Sequence, residues 1–306
     1  MSCFAANGVD PDNIRLEPMD VYFGDRNIDC VTAVADVALS LEDTYFLFEA
    51  TNFAGTITEY YVWYNGGTGT DPLVAGKTAV PVVYTSGASA TTIASLTQAA
   101  LNALTTIESA TSGAKFSIKQ LAMGAVTAAV DSGAPNDTGF TFELDRTGSK
   151  EFLGATEDVE ASFDQSLVDI KASQTGDILL GQLVSSVSAT VGLAALELTA
   201  ARWQSIVGNV IGANKTKGTD ILTGVGKGSV GKNLLTVGKE LLLKPVNSVN
   251  DDRNLTFFRA APVPTSVTFS GTELSKMAVD FSCYLNNDVD PDINLWAFGN
   301  SHNKLA

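Results

Sequence analysis

The residues whose types and spacing could do chemistry are few, and each departs from the pattern its chemistry needs. Gly226 to Asn233 reads GKGSVGKN. That fits the G-x-x-x-x-G-K spacing of a phosphate loop, in which glycines let backbone N–H groups surround a phosphate and the lysine neutralises it. Asn233 stands where the loop needs Ser or Thr for magnesium. A strand pattern rather than a capped helix follows, so the helix N-terminus that would hold phosphate is not expected. Asp288, Asp290, Asp292 and Asn294 alternate like the start of a calcium loop, yet Ile293 replaces the turn glycine and Gly299 the closing glutamate. A solvated acidic turn is the expectation. His302 is the single histidine and has no partners near it in sequence, so a Ser-His-Asp or Cys-His arrangement would have to use it. Glu157 and Asp158 could serve as a glycosidase pair, but nothing selects them over other carboxylates. Tyr60, Tyr61, Trp63 and Tyr64 could form a sugar platform. Alternation puts Tyr61 and Trp63 on one face and Tyr60 and Tyr64 on the other, so at least one set belongs to a core. Accordingly no catalytic residue, cofactor or metal is expected, and the chain reads as a non-enzyme.

Composition narrows the class further. The chain has 306 residues, 45% of them hydrophobic, and a formal net charge of −15. It is long enough for a sizeable core or two modest ones, and too acidic for a nucleic-acid groove binder, which presents basic patches. No apolar run reaches bilayer-spanning length, and the start MSCFAANGVDPDN lacks the basic and apolar regions of a signal peptide. Cys3, Cys30 and Cys283 are odd in number and widely spaced, as expected of structural thiols in a reducing cytoplasm.

The chain is organised around Leu153 to Gly212. Val159, Ala161, Phe163 and Leu167 alternate with Glu160, Ser162, Asp164 and Ser166, the period of a strand with one dry and one wet face. The phase then changes, with Val168 and Ile170 apolar, which predicts a bulge near Gln165 to Leu167. After a turn signal at Ser173 to Asp177, a second run puts Leu183, Val187, Ala189, Val191 and Leu193 on one face and Gln182, Ser186, Ser188 and Thr190 on the other. Trp203, Ile206, Val207, Val210 and Ile211 then follow helical spacing, predicting a helix over 199–211 capped by Thr199, with Trp203, Ile206 and Val207 packing on a core.

Residues 1–20 read as an extended arm, and Val21 and Phe23 open a short strand. A separate unit spans 44–146, with strands at 45–50, 59–65, 78–84, 115–121 and 138–144 and a helix capped by Ser89. That order can close its own core as an inserted α+β domain, although these strands could instead extend the main sheet. From Gly212 to Lys244 the chain is rich in glycine and lysine, and strands follow at 240–246, 254–260 and 266–271. A last strand puts Met277, Val279, Phe281, Cys283 and Leu285 on one face.

The block LGATEDV at 153–159 leading into ASFDQSLVDIKASQTGD, then QLVSSVSATVGLAAL and the Glu197 to Thr199 helix start, resembles the tail tube proteins of long-tailed bacteriophages. VYFGD at 21–25 and KMAVDFSCYLNNDV add to the likeness, and YYVWYN, GTDP and AGKT in the insertion resemble a domain recurring in phage structural proteins. The resemblance implies a mainly β fold: a sandwich or barrel-like domain over 1–43 and 147–306 with one flanking helix, and the 44–146 insertion outside. It implies hexameric rings stacked into a tube whose sheets join into one inner barrel. Its partners would be itself, a tape measure protein inside, neighbouring tail proteins, and a sheath if the tail contracts. Double-stranded DNA would pass through without specific binding. The virion tail is the implied location, with assembly in the host cytoplasm. Glu160 and Asp164 are then expected to line the lumen, and Lys227 and Lys232 to contact a neighbouring subunit. A terminator or tip ring, a secretion-type tube subunit, or a glycan-binding module on the insertion are the other readings.

Overall fold

The computed structural model describes residues 18–172, 178–196, 199–208, 212–217, 220–246, 253–269, 275–286 and 293–301. Strands dominate it. β1 (Met19–Asp25) begins a first unit, and the chain then leaves for a second. That second unit holds β2 (Ile28–Thr32), β3 (Tyr45–Thr51), β4 (Ile57–Asn65), β5 (Thr78–Val83), α1 (Ala90–Asn102), β6 (Ile107–Glu108), β7 (Thr111–Ser112), β8 (Lys115–Gln120), β9 (Val130–Asp131) and β10 (Thr141–Arg146). The chain returns through β11 (Ser149–Phe152), β12 (Thr156–Ala172) and β13 (Ile178–Ala195), and then α2 (Ala200–Trp203), which runs into a π-helical turn at Gln204–Gly208. It finishes with β14 (Ala213–Lys217), β15 (Asp220–Gly224), α3 (Leu234–Val237), β16 (Lys239–Pro245), β17 (Leu255–Thr268), β18 (Lys276–Cys283) and β19 (Trp296–Phe298).

The first unit is one antiparallel sheet in the order β11-β1-β16-β17-β18-β13-β12, with β19 added to β17. Its two ends are consecutive in the chain. Only Leu153 to Ala155 separate β11, paired to β1, from β12, paired to β13, and three residues span about 10 Å at most. The N–H of Leu153 still donates to Val21 while Leu196 donates to the carbonyl of Ala155, and the Thr156 hydroxyl reaches Met19. The stretch 149–172 therefore behaves as one bent strand that closes the sheet into a barrel-like wall. Inward residues alternate along each strand, with Val21, Phe23, Val191, Phe257, Val279 and Phe281 fully buried. β17 is one 14-residue strand where the sequence suggested two. Pro262 and Pro264 are tolerated in it because this stretch is paired to β18 alone.

The second unit carries its own core. One sheet runs β5-β4-β3-β9 and the other β10-β2-β8-β6, with β7 on β8. α1 starts where the Ser89 hydroxyl accepts the Thr92 N–H at 3.2 Å. It buries Ile93, Ala94, Thr97 and Leu101 at helical spacing, one apolar stripe facing the sheets. Phe46 lies against Phe116 and Phe142, with ring centroids 6.1 and 5.5 Å away. The unit's boundary differs from the expected 44–146. β2 pairs with both β8 and β10, and Val31, Ala33 and Leu41 are buried in this core. Residues 28–43 thus belong here, and the unit begins next to Asn27. The two chain passages meet there: Gly148 donates to Asn27 Oδ1 at 3.2 Å, and a Cβ on Gly148 would fall 1.8 Å from the carbonyl oxygen of Gly124.

Candidate functional site

β12 and β13 are 17 and 18 residues long, and they run well past the stretch of β13 that the neighbouring strand β18 covers. β18 pairs with β13 only from Ala189 to Ala195. From there toward Ala172 and Ile178 the two strands continue as a ribbon, about 35 Å long at the rise of an extended chain. The rungs Leu167–Val184 and Val168–Leu183 are consecutive, so they point to opposite faces. These side chains are 51, 57, 53 and 59% exposed. The ribbon thus shows apolar surface on both faces, and among the described residues the outer edge of β12 has no strand partner. A lone two-stranded ribbon is marginal in water, and a long unpaired apolar edge recruits another strand.

The expectation of one dry face along both strands holds only near the barrel. Ala189, Val191 and Leu193 are buried, whereas Leu183 and Val187, expected on the same face, are 59 and 46% exposed. The register shifts between Ser166 and Leu167, and the extra residue lies on β13 at Ser185, whose hydroxyl donates to the Ser166 carbonyl at 3.0 Å. The phase change at Val168 was the sequence signal for a ribbon apolar on two faces.

Glu160 and Asp164 are exposed and alternate with Val159 and Ala161, which pack on the core, and with Phe163, which is itself exposed but stacks on the buried Phe257. Phe163 packs on Trp296, ring centroids 4.8 Å apart. Both carboxylates therefore sit on the face of β12 that looks away from the core. Lys227 and Lys232 are exposed on the loop that follows the β14–β15 hairpin, and Lys232 Nζ donates to the Gly212 carbonyl at 3.1 Å. A helix does follow this loop, contrary to expectation, with Asn233 capping it through Leu235 N–H at 3.0 Å. It is four residues long and too short to build a phosphate site. Glu157 and Asp158 lie about Lys276, at 3.8 and 3.7 Å, in an open surface group.

The aromatic run of β4 offers no open platform. Tyr61, Trp63 and Tyr64 are buried, with Tyr64 bonded to Thr97 and the Tyr61 hydroxyl donating to Asp71 at 2.6 Å. Burial and the Asp71 carboxylate push the Tyr61 phenol up to about 12. Among the described residues no group of His, Cys, Asp and Glu is arranged to hold a metal. Cys3, Asp288, Asp290, Asp292, His302, the arm at 1–17, the turn at 173–177, and Val210 and Ile211 lie outside the described residues.

Among the described residues of the expected 199–211 helix, four α-helical residues, Ala200–Trp203, precede a π turn over Gln204–Gly208. Ile206 and Val207 are buried in the barrel core, while Trp203 is only partly buried against it. The largest cost of truncation therefore moves from the indole to Ile206. Ile206→Ala should destabilise the chain by about 2–5 kcal/mol, and Trp203→Ala by less. Urea unfolding of the two variants checks the order.

One buried carboxylate makes stability depend on pH. Asp29 is 3% exposed, and burial pushes its pKa up to about 6 against hydrogen bonds from the Ala129 N–H and the Asn27 amide. The folded state holds this proton more tightly than the unfolded chain. Its contribution is present at low pH and lost as pH rises through about 6. Asp29→Asn should therefore stabilise the protein at pH 8 by up to about 3 kcal/mol. The gain should disappear below about pH 4, as melting curves across that range will report.

No family model and no curated protein matches this chain. Among the described residues no helix is long and apolar enough to cross a membrane.

Proposed function

We propose that this chain is the structural subunit of a bacteriophage tail tube, one copy in stacked sixfold rings that carry DNA from capsid to cell. The observation that carries this reading is the β12–β13 ribbon, whose open edges and two apolar faces call for identical neighbours on either side. A head-to-tail contact between copies closes into a ring when the rotation fits. In the ring each ribbon would gain strands and lose its exposed apolar surface. The polar face bearing Glu160 and Asp164 then looks into the channel, where carboxylates repel the phosphate backbone and a basic wall would bind it.

Electron microscopy of the purified full chain tests the assembly. Rings or tubes are expected on concentration, and a strict monomer at every concentration would overturn the reading. A terminator or tip ring is separated by copy number per virion. The glycan-binding reading loses its aromatic platform to burial of Tyr61, Trp63 and Tyr64. In a virion, Glu160→Lys with Asp164→Lys should leave tubes intact and slow DNA ejection, more so at low salt. Unchanged low-salt ejection would remove both residues from the lumen.

A further inference from the structure

The junction between the two units gathers positive charge from distant parts of the chain. A narrow recess of about 20 Å³ is lined by Asp25, Arg26, Lys119, Arg146, Lys239, Glu240 and Arg259, with Asn286 beside them. It opens onto a groove of about 260 Å³, with which it shares Asp25, Arg146 and Arg259. Five cations thus meet two carboxylates in a chain whose net charge is −15. Three of the five cations have carboxylate partners: Arg26 Nε lies 2.5 Å from Glu240, Lys239 lies 3.2 Å from Asp25, and Lys119 lies 2.7 Å from Glu108, while Arg259 donates to the Leu235 carbonyl at 2.9 Å and to Asn286 Oδ1 at 3.4 Å.

Arg26 itself is not fully satisfied. It is 7% exposed, and its Nη2 makes no hydrogen bond. Its guanidinium lies 5.8 Å from the centroid of the Phe258 ring, a contact that supplies no acceptor oxygen. A buried charged donor without an acceptor is costly. An oxygen of an anion would meet that need, and guanidinium groups match oxyanions through paired N–H donors. The recess has room for one water-sized group, so one oxygen would enter beside Arg26 while the rest of the anion stays in the groove near Arg146 and Arg259.

We propose that this recess is a binding site for a single oxyanion, supplied either by free inorganic phosphate or by an Asp or Glu side chain of a second copy of this chain. The site is a property of the junction and stands whether or not the tube reading holds. Calorimetric titration of the dilute full chain with inorganic phosphate, at constant ionic strength, tests the free anion. Saturable one-to-one binding is expected, weakened at least tenfold in Arg146→Gln and in Arg259→Gln, with melting in chloride confirming that each variant folds. If a second copy supplies the anion, sedimentation of the concentrated chain should show phosphate competing with self-association, and both variants associating at least tenfold more weakly. Either pattern supports the site. Phosphate that neither binds nor competes overturns it, as does phosphate acting equally on the wild type and both folded variants.

Discussion

Replacing residues 167–185 with Asn-Gly should give a chain that folds but builds no tubes. The cut leaves Ser166 opposite Ser186, a register pair in the present ribbon, and a two-residue Asn-Gly loop suits that geometry. The removed side chains include Leu167, Val168, Leu183 and Val184, all more than half exposed, so they contribute little to the monomer. Stability should stay within about 1 kcal/mol of the wild type, since substitutions away from a core usually have small effects. Assembly should fall below detection, because the change removes most of the apolar surface and strand edge offered to a neighbour. Tubes of normal length from the trimmed chain would separate the ribbon from assembly. A trimmed chain that no longer folds would show that the ribbon serves its own monomer.

The second large effect concerns the inserted unit. A fragment from Asn27 to Thr147 should unfold cooperatively on its own, whereas one from Thr44 to Arg146 should not. The shorter piece lacks β2, which lies between β8 and β10 and is paired along its length with both. It also loses Val31, Ala33 and Leu41 from the core. Asp36 goes as well, and with it the carboxylate that accepts the N–H groups of Leu39, Leu41 and Gly87 and the Tyr84 hydroxyl. Burial opposes ionisation of Asp36, yet these bonds hold its pKa below the ordinary value. Deleting a central strand and several core side chains should exceed the 5–15 kcal/mol or so by which a domain is stable. Calorimetry on the two fragments decides. A cooperative transition in the shorter one would restore the boundary to Thr44.

Much of the local structure was legible in the residues themselves. The Ser89 cap and the stripe from Ile93 to Leu101 define α1, and the alternation of Met277, Val279 and Phe281 defines β18 and its buried face. Such signals work because capping and period-two burial depend on residues a few positions apart. The mainly β class, the separate core of the insertion and the irregularity beside Leu167 were readable for the same reason. Where a strand finds its partners was not. β2 is short and its pattern fits either unit, and only pairing with β8 and β10, far along the chain, assigns it. The same holds for the ribbon. Leu183 and Val187 carry the pattern of a buried face, but burial needs an opposing layer, and beyond Ala189 β18 no longer pairs with β13. The cationic recess was hidden altogether, since Arg26, Lys119, Arg146, Lys239 and Arg259 come from five distant segments. Sequence periodicity determined which residues form strands and helix. Long-range contact, which no local pattern encodes, decided which faces are covered, which edges stay open, and where the charges meet.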